Sequence, residues 1–99
     1  MTTYAGLSAQ RFTGVVLIYG DNCAPCARLK PRLQAVCSEL GIELVETAAA
    51  VNMDAVRFLG IRGVPAVVVM KEGADVATHV GESTDQFLRE IFTNQGLAK

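Results

Sequence analysis

The run GVVLIY, residues 14–19, contains only aliphatic and aromatic side chains after its glycine. It is too short for a buried helix and shows no polar alternation, so it predicts a β-strand covered on both faces. Such strands are typical of sheets that carry helices on both sides. This run therefore restricts the chain to an α/β fold in which residues 14–19 form a central strand.

A helix is predicted directly after this strand, from Cys23 to Leu40. Its apolar positions recur at helical spacing, namely Cys26, Leu29, Leu33, Val36 and Leu40. Gly41 supplies a typical helix end, and Pro31 should bend the helix because proline lacks the amide donor. The following IELVE, residues 42–46, alternates apolar and polar residues. It predicts a second strand, which a helical crossover of this length places parallel to the first.

The second half of the chain predicts a short helix and then a hairpin. Asn52 can cap a helix over residues 53–59. Beyond it, AVVVM at residues 66–70 and DVATHV at residues 75–80 flank a turn that contains Gly73, a pattern typical of an antiparallel pair. The predicted sheet is therefore mixed, with parallel and antiparallel neighbours.

The two ends of the chain differ in the strength of their signals. Ser83 and Gln86 form a capping box, so a last helix should begin there and end near Gly96. Before the first strand the pattern is weak and predicts one turn of helix over residues 8–12. The chain is thus predicted to be one domain, residues 1–99, with a βαβ half, a ββα half and helices on both faces of a central mixed sheet.

Charge and hydropathy argue against two classes of partner. The net charge is -1, and Lys and Arg are scattered among Asp and Glu, so the chain lacks a basic stripe for nucleic acid. The N-terminal MTTYAGLSAQ lacks the features of a signal peptide, and no apolar run approaches the roughly 20 residues of a membrane span. The sequence therefore predicts a cytoplasmic protein that binds neither nucleic acid nor membrane.

Two cysteines separated by two residues stand at the predicted start of the long helix, in GDNCAPCARLKP. The free amides and positive dipole end of a helix N-terminus should stabilise a thiolate at Cys23, while Cys26 lies one turn inside and should be more sheltered. Thiol–disulfide exchange requires this combination of an exposed nucleophile and a second thiol within reach. The pair therefore predicts a redox couple, with Ala24 and Pro25 shaping the turn between the thiols.

Two other functions of the pair are weaker. A zinc site needs four ligands, and the remaining candidates, Cys37 and His79, do not form a second knuckle at the required spacing. Cys37 falls on the apolar side of the helix and is predicted to be a core residue, while His79 is predicted to be solvated surface. A purely structural disulfide between residues three apart closes too small a loop to remove much entropy from the unfolded chain.

With CAPC after a buried strand and GIRGVPAVVVMKEG at residues 60–73, the chain resembles the thioredoxin family. The resemblance extends from about residue 14 to the C-terminus. In that family a cis proline lies opposite the cysteine pair, and Pro65 after Val64 matches it. Pro31 matches the family's helix-bending proline, and Gly81 in HVGES matches the glycine that lines the substrate groove. The resemblance implies a substrate-binding surface beside the cysteines and in the proline loop, made of Asn22, Ala24, Pro25, Val64, Pro65 and Gly81.

The implied activity is that of a thiol–disulfide oxidoreductase that reduces protein disulfides. Cys23 would attack the substrate disulfide, and Cys26 would resolve the mixed disulfide. The family further implies a monomer that binds no cofactor or metal and is recycled by an NADPH-dependent flavoprotein, thioredoxin reductase. Two rival functions stay open. One is a glutaredoxin-like reductase recycled by glutathione, which Tyr19 and the absence of tryptophan favour, and the other is a binding module whose redox centre is incidental.

Three positions and the N-terminal segment depart from the family pattern. Asn22 precedes the first cysteine where typical members have tryptophan, which removes an apolar contact surface. Leu17 stands in the place of a buried aspartate, and Glu46 in that of the lysine associated with it. The segment before residue 14 is short, so the first strand and helix of the family's fold are expected to be truncated. Because Leu17 and Glu46 replace the aspartate and its lysine, the sequence does not assign a proton acceptor for the resolving thiol.

Overall fold

The computed structural model describes residues 2–97, in which helices and strands alternate through the first half. The elements are α1 (Tyr4–Ala9), β1 (Gly14–Tyr19), α2 (Ala24–Leu40), β2 (Leu44–Ala48), α3 (Met53–Phe58), β3 (Ala66–Lys71), β4 (Ala74–Val80) and α4 (Asp85–Asn94). A short 3₁₀ turn, Ala49–Val51, links β2 to α3.

The strands form a mixed sheet in the order β2-β1-β3-β4. β1 pairs in parallel with β2, and β3 is antiparallel to both β1 and β4. The connection from β1 to β2 passes through α2, as the βαβ pattern requires of parallel neighbours. The predicted α/β class with a central mixed sheet and helices on both faces is confirmed.

The two central strands, β1 and β3, bury both of their faces. Val15 and Leu17 of β1 enter one hydrophobic cluster, here called the α2–α4 cluster because those helices cover it. Val16 and Ile18 enter the other, here called the α1–α3 cluster. The alternation follows from the two-residue period of a strand, and a fully buried aliphatic side chain contributes about 1.5–3 kcal/mol to folding.

Helix α2 connects the core to the cysteine pair. Cys23 is its N-cap, and Gly41 ends it in the left-handed conformation with φ of 69°. Leu29 and Leu33 are fully buried on its inner face. Pro31 lies on the exposed face of α2 and does not end the helix. The predicted start and end of this helix are confirmed within one residue.

The N-terminal helix lies earlier than predicted. α1 spans Tyr4–Ala9, whereas the sequence indicated residues 8–12, and Thr3 caps it by accepting a hydrogen bond from the Gly6 amide at 3.1 Å. Two of its residues, Tyr4 and Leu7, are buried. Two apolar positions give too weak a periodicity to locate a helix. Within residues 2–13 the structure has this helix and no strand.

Asn52 has a different role from the predicted helix cap. Its side chain makes no capping bond to α3. Instead Asn52 Oδ1 accepts a hydrogen bond from the Tyr4 amide at 2.7 Å, and Nδ2 donates to Thr47 Oγ1 at 2.9 Å. Asn52 is buried, so these bonds satisfy an amide that would otherwise be costly to desolvate. The residue ties α1 to the end of β2.

Three other expectations differ from the structure. β2 begins at Leu44 rather than residue 42. The cap of α4 is Thr84, whose Oγ1 accepts from the Phe87 amide at 3.1 Å, so the predicted capping box at Ser83 is wrong by one residue. His79 is half-buried rather than solvated, because its ring packs at a tilt of 59° against Phe87, with 4.7 Å between ring centroids.

Candidate redox site

Cys23 and Cys26 form a disulfide at the start of α2, with their Cα atoms 5.2 Å apart. Cys23 is half-buried, whereas Cys26 is 6% exposed. The Cys23 Sγ accepts a hydrogen bond from the Cys26 amide at 3.2 Å. The sulfur of Cys23 therefore occupies the N-cap position, where free amides and the positive end of the helix dipole favour negative charge.

A tight turn brings the chain from β1 to Cys23. Asn22 has a φ of 51°, in the left-handed region where asparagine is one of the few side chains regularly found. Asn22 and Asp21 are exposed, and Pro25 lies in the first turn of α2, where a missing amide donor costs nothing. The residues of GDNCAPC thus suit a strand-to-helix turn that ends at the half-buried Cys23.

The loop before β3 packs against this turn. The Val64–Pro65 peptide bond is cis, as the resemblance implies. A Cβ atom built on Gly20 would lie 2.8 Å from Val64 Cγ2, a distance that real Cβ atoms do not reach. Glycine at position 20 therefore permits the close approach of the two loops. The Gly81 amide donates a hydrogen bond to the Pro65 carbonyl at 2.7 Å. The three predicted groove residues, Val64, Pro65 and Gly81, therefore lie together.

Charged side chains hold the loop after β4 against α2. Arg28 donates to Glu82 Oε1 through Nε at 2.9 Å and through Nη2 at 2.6 Å. Arg32 Nη1 donates to the Ser83 carbonyl at 2.6 Å, and its Nε lies 3.2 Å from Asp85 Oδ1. The hydrogen bond from Arg28 keeps the pKa of Glu82 below its ordinary value of 4.5. The loop that carries the groove glycine is thereby fixed to the helix that carries the cysteines.

A cavity of about 590 Å³ opens beside the disulfide. Both cysteines line it, and so do residues from β1, the turn and α2, namely Leu17, Tyr19, Gly20, Asn22, Ala24, Ala27 and Lys30. Leu17 is 1% exposed and contributes to the α2–α4 cluster, as the strand register predicts. Of the site residues predicted from the sequence, Asn22 and Ala24 line this cavity beside the cysteines. Val64 and Pro65 belong to the proline loop before β3 and Gly81 to the loop after β4, and none of the three is among the cavity residues.

Glu46 of β2 is the residue at the position of the family's lysine. Its carboxylate lies 3.1 Å from Lys30 Nζ and accepts a hydrogen bond from Gln34 Nε2 at 2.9 Å. In the sheet Glu46 is the register partner of Leu17. Lys30 of this ion pair is one of the residues that line the cavity.

Cys37 is not part of the redox site. It is 2% exposed and belongs to the α2–α4 cluster, as predicted. Burial raises the pKa of its thiol to about 12. A thiol that stays protonated is a poor nucleophile, so Cys37 behaves as a small apolar core residue.

Sequence reasoning alone did not find four features of the site. They are the close contact of Gly20, the Arg28–Glu82 ion pair, and the two cavity walls formed by Tyr19 and Lys30. Of these features, only the close contact had a local signal: Gly20 directly follows the buried strand β1, and glycine at such a position often marks a close backbone approach. The ion pair joins residues 54 apart, which no local pattern predicts.

Residues 2–97 contain no group of three or more His, Cys, Asp or Glu side chains placed to hold a metal ion. None of the helices within that range has the length and apolar character needed to cross a bilayer.

The fold and the cysteine pair define a class, that of proteins with a redox-active dithiol at a helix start on a mixed α/β sheet. The family model described as "Thioredoxin" matches residues 5–94, and the chain belongs to the thioredoxin family. The chain is 29% identical over 93 residues to the thioredoxin of Bacillus subtilis (strain 168), an alignment that covers 90% of this chain and 89% of that relative. It is 32% identical over 67 residues to a thioredoxin of Rhodospirillum rubrum, covering 64% and 62% of the two chains.

Solved structures agree with this assignment at the level of the fold. The thioredoxin of Fasciola hepatica superimposes with a TM-score of 0.74 at 24% identity, covering 95% of this chain and 98% of that chain. The thioredoxin of Aeropyrum pernix gives a TM-score of 0.78 at 19% identity, covering 95% and 84%. The chain is therefore a thiol–disulfide oxidoreductase with a disulfide-forming pair, and its family implies protein disulfides as substrates.

Proposed function

We propose that Cys23 is the nucleophile and Cys26 the resolving thiol in the reduction of protein disulfides. The observation that carries this assignment is the position of Cys23 as the N-cap of α2, with its sulfur bonded to the Cys26 amide at 3.2 Å. That position stabilises a thiolate and leaves it half-exposed. Cys26, at 6% exposure, is sheltered from external disulfides but lies within bonding distance of Cys23.

The reaction proceeds by two exchanges of sulfur bonds. The Cys23 thiolate attacks one sulfur of the substrate disulfide, and the other substrate sulfur leaves as a thiolate. The Cys26 thiolate then attacks Cys23 Sγ in the mixed disulfide, which forms the Cys23–Cys26 bond and releases the reduced substrate. Two electrons pass to the substrate, and its two thiolates take up the two protons that the protein thiols lose.

The substrate surface of this proposal consists of the turn residues Asn22, Ala24 and Pro25 and the groove residues Val64, Pro65 and Gly81. Support comes from the contact of Gly20 with the proline loop and from the hydrogen bond between Gly81 and Pro65. These contacts keep the two loops together, so an extended peptide can meet the Val64 backbone next to Cys23.

The proposal includes the setting in which the chain works. It acts in the cytoplasm as a monomer and a single domain, and an NADPH-dependent flavoprotein, thioredoxin reductase, returns the disulfide to the dithiol. Recycling by glutathione and an accessory binding role are the competing functions, and the experiment below separates them.

The test is reduction of insulin disulfides coupled to NADPH oxidation, with thioredoxin reductase or with glutathione and its reductase as the donor. We expect turnover with thioredoxin reductase, loss of turnover in Cys23→Ser, and accumulation of a covalent insulin adduct in Cys26→Ser. Cys37→Ala is the matched cysteine control and should retain turnover, because Cys37 lies in the core.

Two results would contradict the proposal. An adduct that accumulates in Cys23→Ser rather than in Cys26→Ser would reverse the roles of the two thiols. Turnover with glutathione but not with thioredoxin reductase would assign the chain to the glutaredoxin-like alternative. The absence of insulin reduction with either donor would favour the accessory binding role.

A further inference from the structure

Helix α3 exposes two large apolar side chains. Phe58 is 78% exposed and Met53 is 45% exposed, and no other large apolar side chain in residues 2–97 is as exposed as Phe58. The inner side of the helix is already in use, because Ala55 and Val56 pack against the α1–α3 cluster. Large apolar side chains that are left together at the surface mark an interaction site.

Two grooves between α1 and α3 extend this apolar surface. One, of about 350 Å³, includes Met53 at the start of α3, and the other, of about 440 Å³, includes Phe58 at its end. The grooves share Ala5, Asp54 and Ala55, so they form one continuous surface. Asp54 is the one charged residue among the described residues that line either groove. The surface therefore suits a partner that offers apolar side chains and a positive charge.

The exposed side chains of α3 follow an order that is complementary to its own reverse. They are Met53, Asp54, Arg57 and Phe58, here called the α3 face. Along the helix the order is apolar, acidic, basic, apolar, and residues three or four apart lie on one side of a helix. When two such helices lie antiparallel, each apolar side chain therefore meets an apolar one and each charge meets its opposite.

The two charges of the α3 face are held only weakly within the chain. Arg57 Nη1 lies 3.5 Å from Asp54 Oδ1, and the two side chains are 72% and 106% exposed. At such exposure an ion pair contributes little, because water screens both charges. Each group can therefore exchange its partner for the equivalent group of another molecule at small cost.

We propose that a second copy of this chain covers the α3 face, in a two-fold symmetric pair whose α3 helices lie antiparallel. Phe58 of each copy then packs against Met53 of the other, and Asp54 of each faces Arg57 of the other. Met, Phe and Arg are enriched at protein interfaces, and a thioether packs favourably against an aromatic ring. Two-fold symmetry makes each of these contacts twice.

The pair should be weak. α3 has six residues and a length of about 9 Å, so the contact is smaller than the roughly 1,600 Å² of a stable interface. We expect a Kd on the order of 0.1 mM. The monomer of the proposed function is then the dilute state, and the pair forms as the concentration rises. Neither the cysteines nor the substrate residues of the proposed function line the grooves, so this inference does not depend on that function.

The test is sedimentation equilibrium of the oxidised full-length chain from about 10 µM to about 1 mM. Cys23 and Cys26 are joined and Cys37 is buried, so the association that is measured is noncovalent. We expect the mean mass to rise from one chain towards two and no further.

A matched pair of phenylalanine variants locates the interface. Phe58→Ser should raise the Kd about tenfold or more, because it removes the largest apolar side chain of the α3 face. Phe87→Ser is the control, since Phe87 is also exposed but lies on α4. It should leave the Kd unchanged. Circular dichroism checks that both variants are folded.

Charge reversal tests the two-fold arrangement. Asp54→Arg places bases opposite bases, and Arg57→Asp places acids opposite acids, so each variant alone should lose association. An equimolar mixture of the two variants should associate again, because the bases of one then face the acids of the other. Mixing cannot restore the pair within a chain, so the recovery reports contacts between chains.

Four outcomes would overturn this inference. They are a wild-type chain that stays monomeric up to about 1 mM, a mass that grows beyond two chains, equal effects of the two phenylalanine variants, and no recovery in the mixture of charge variants. The first would leave the α3 face to a different protein. Insulin reduction is unaffected by any of them, so the proposed function is judged separately.

Discussion

In the proposed reaction, Leu17 limits which groups can receive the proton of Cys26. It lines the cavity together with Cys26 and is 1% exposed, so β1 offers an aliphatic side chain where the sequence resemblance implies a carboxylate. The carboxylate of Glu46, one strand away, is bonded to Lys30 and Gln34. We therefore expect solvent to accept the proton, and resolution to become faster as the pH and the hydroxide concentration rise.

Leu17→Asp tests the role of this position. Loss of a buried leucine and burial of a carboxyl group should lower the free energy of unfolding by about 2–5 kcal/mol. The same burial should raise the pKa of the new carboxyl towards neutrality, where it can accept a proton and speed resolution about tenfold or more. Denaturant unfolding and rapid-quench measurement of mixed-disulfide decay give the two quantities.

Leu17→Asn is the control for that variant, because it is nearly isosteric with aspartate and has no base. It should be destabilised to a similar degree without faster resolution. If Leu17→Asp changed neither stability nor the resolving rate, Leu17 would not lie beside Cys26.

At the scale of the elements, the predictable parts are those with local signals. β1 is a continuous apolar run, α2 is a periodic helix with a glycine end, and the β3–β4 hairpin has a glycine turn, so each could be located from the sequence. α1 could not, because its first residue is held by Asn52, 48 residues away. The cysteine pair and proline loop followed from motifs, whereas the contact between their loops depends on tertiary packing.

The contact between the turn after β1 and the loop before β3 is tested by Gly20→Ala. The added methyl group would lie 2.8 Å from Val64 Cγ2, so the Val64 side chain or one of the two loops must move. Overpacking of this kind should cost about 1–3 kcal/mol and should lower kcat/KM for insulin, because the proline loop shifts away from Cys23.

Gly63→Ala provides the matched control in the neighbouring loop. Its Cβ would lie 3.8 Å from Val80 Cγ1, an ordinary van der Waals distance. Stability and kcat/KM should therefore change little in Gly63→Ala. Equal effects of the two substitutions on insulin reduction would show that the close packing at Gly20 has no part in the site.

At the scale of the whole molecule, two buried ionisable groups, the Cys37 thiol and the Tyr4 hydroxyl, make the stability of the fold depend on pH in the alkaline range. They lie on opposite faces of the sheet. Burial raises the pKa of Cys37 from 9.0 to about 12 in the α2–α4 cluster. Burial, followed by the charge and hydrogen bond of Asp75, raises the pKa of Tyr4 from 10.0 to about 12 in the α1–α3 cluster. Both groups therefore stay protonated in the folded chain at a pH where the unfolded chain ionises.

The free energy of unfolding of the oxidised protein should fall as the pH rises from about 9 to about 12. The sign follows because the unfolded chain binds fewer protons than the folded chain in that window, and below it the stabilisation is fully present. Denaturant titrations across the window check this. Cys37→Ala and Tyr4→Phe should each reduce the slope. An unchanged slope in both buried variants would contradict the assignment.

The separation of the core by the central strands also constrains how the family can diverge. Neighbouring residues of β1 enter different clusters, with Val15 and Leu17 on one side and Val16 and Ile18 on the other. A volume change at one position must be compensated on its own side, because the strand backbone separates the two clusters. Across orthologues, position 17 should covary with residues of α2 and α4, and position 16 with residues of α1 and α3. Neighbouring residues of β1 would then be substituted in evolution independently of each other, each together with the cluster that it enters.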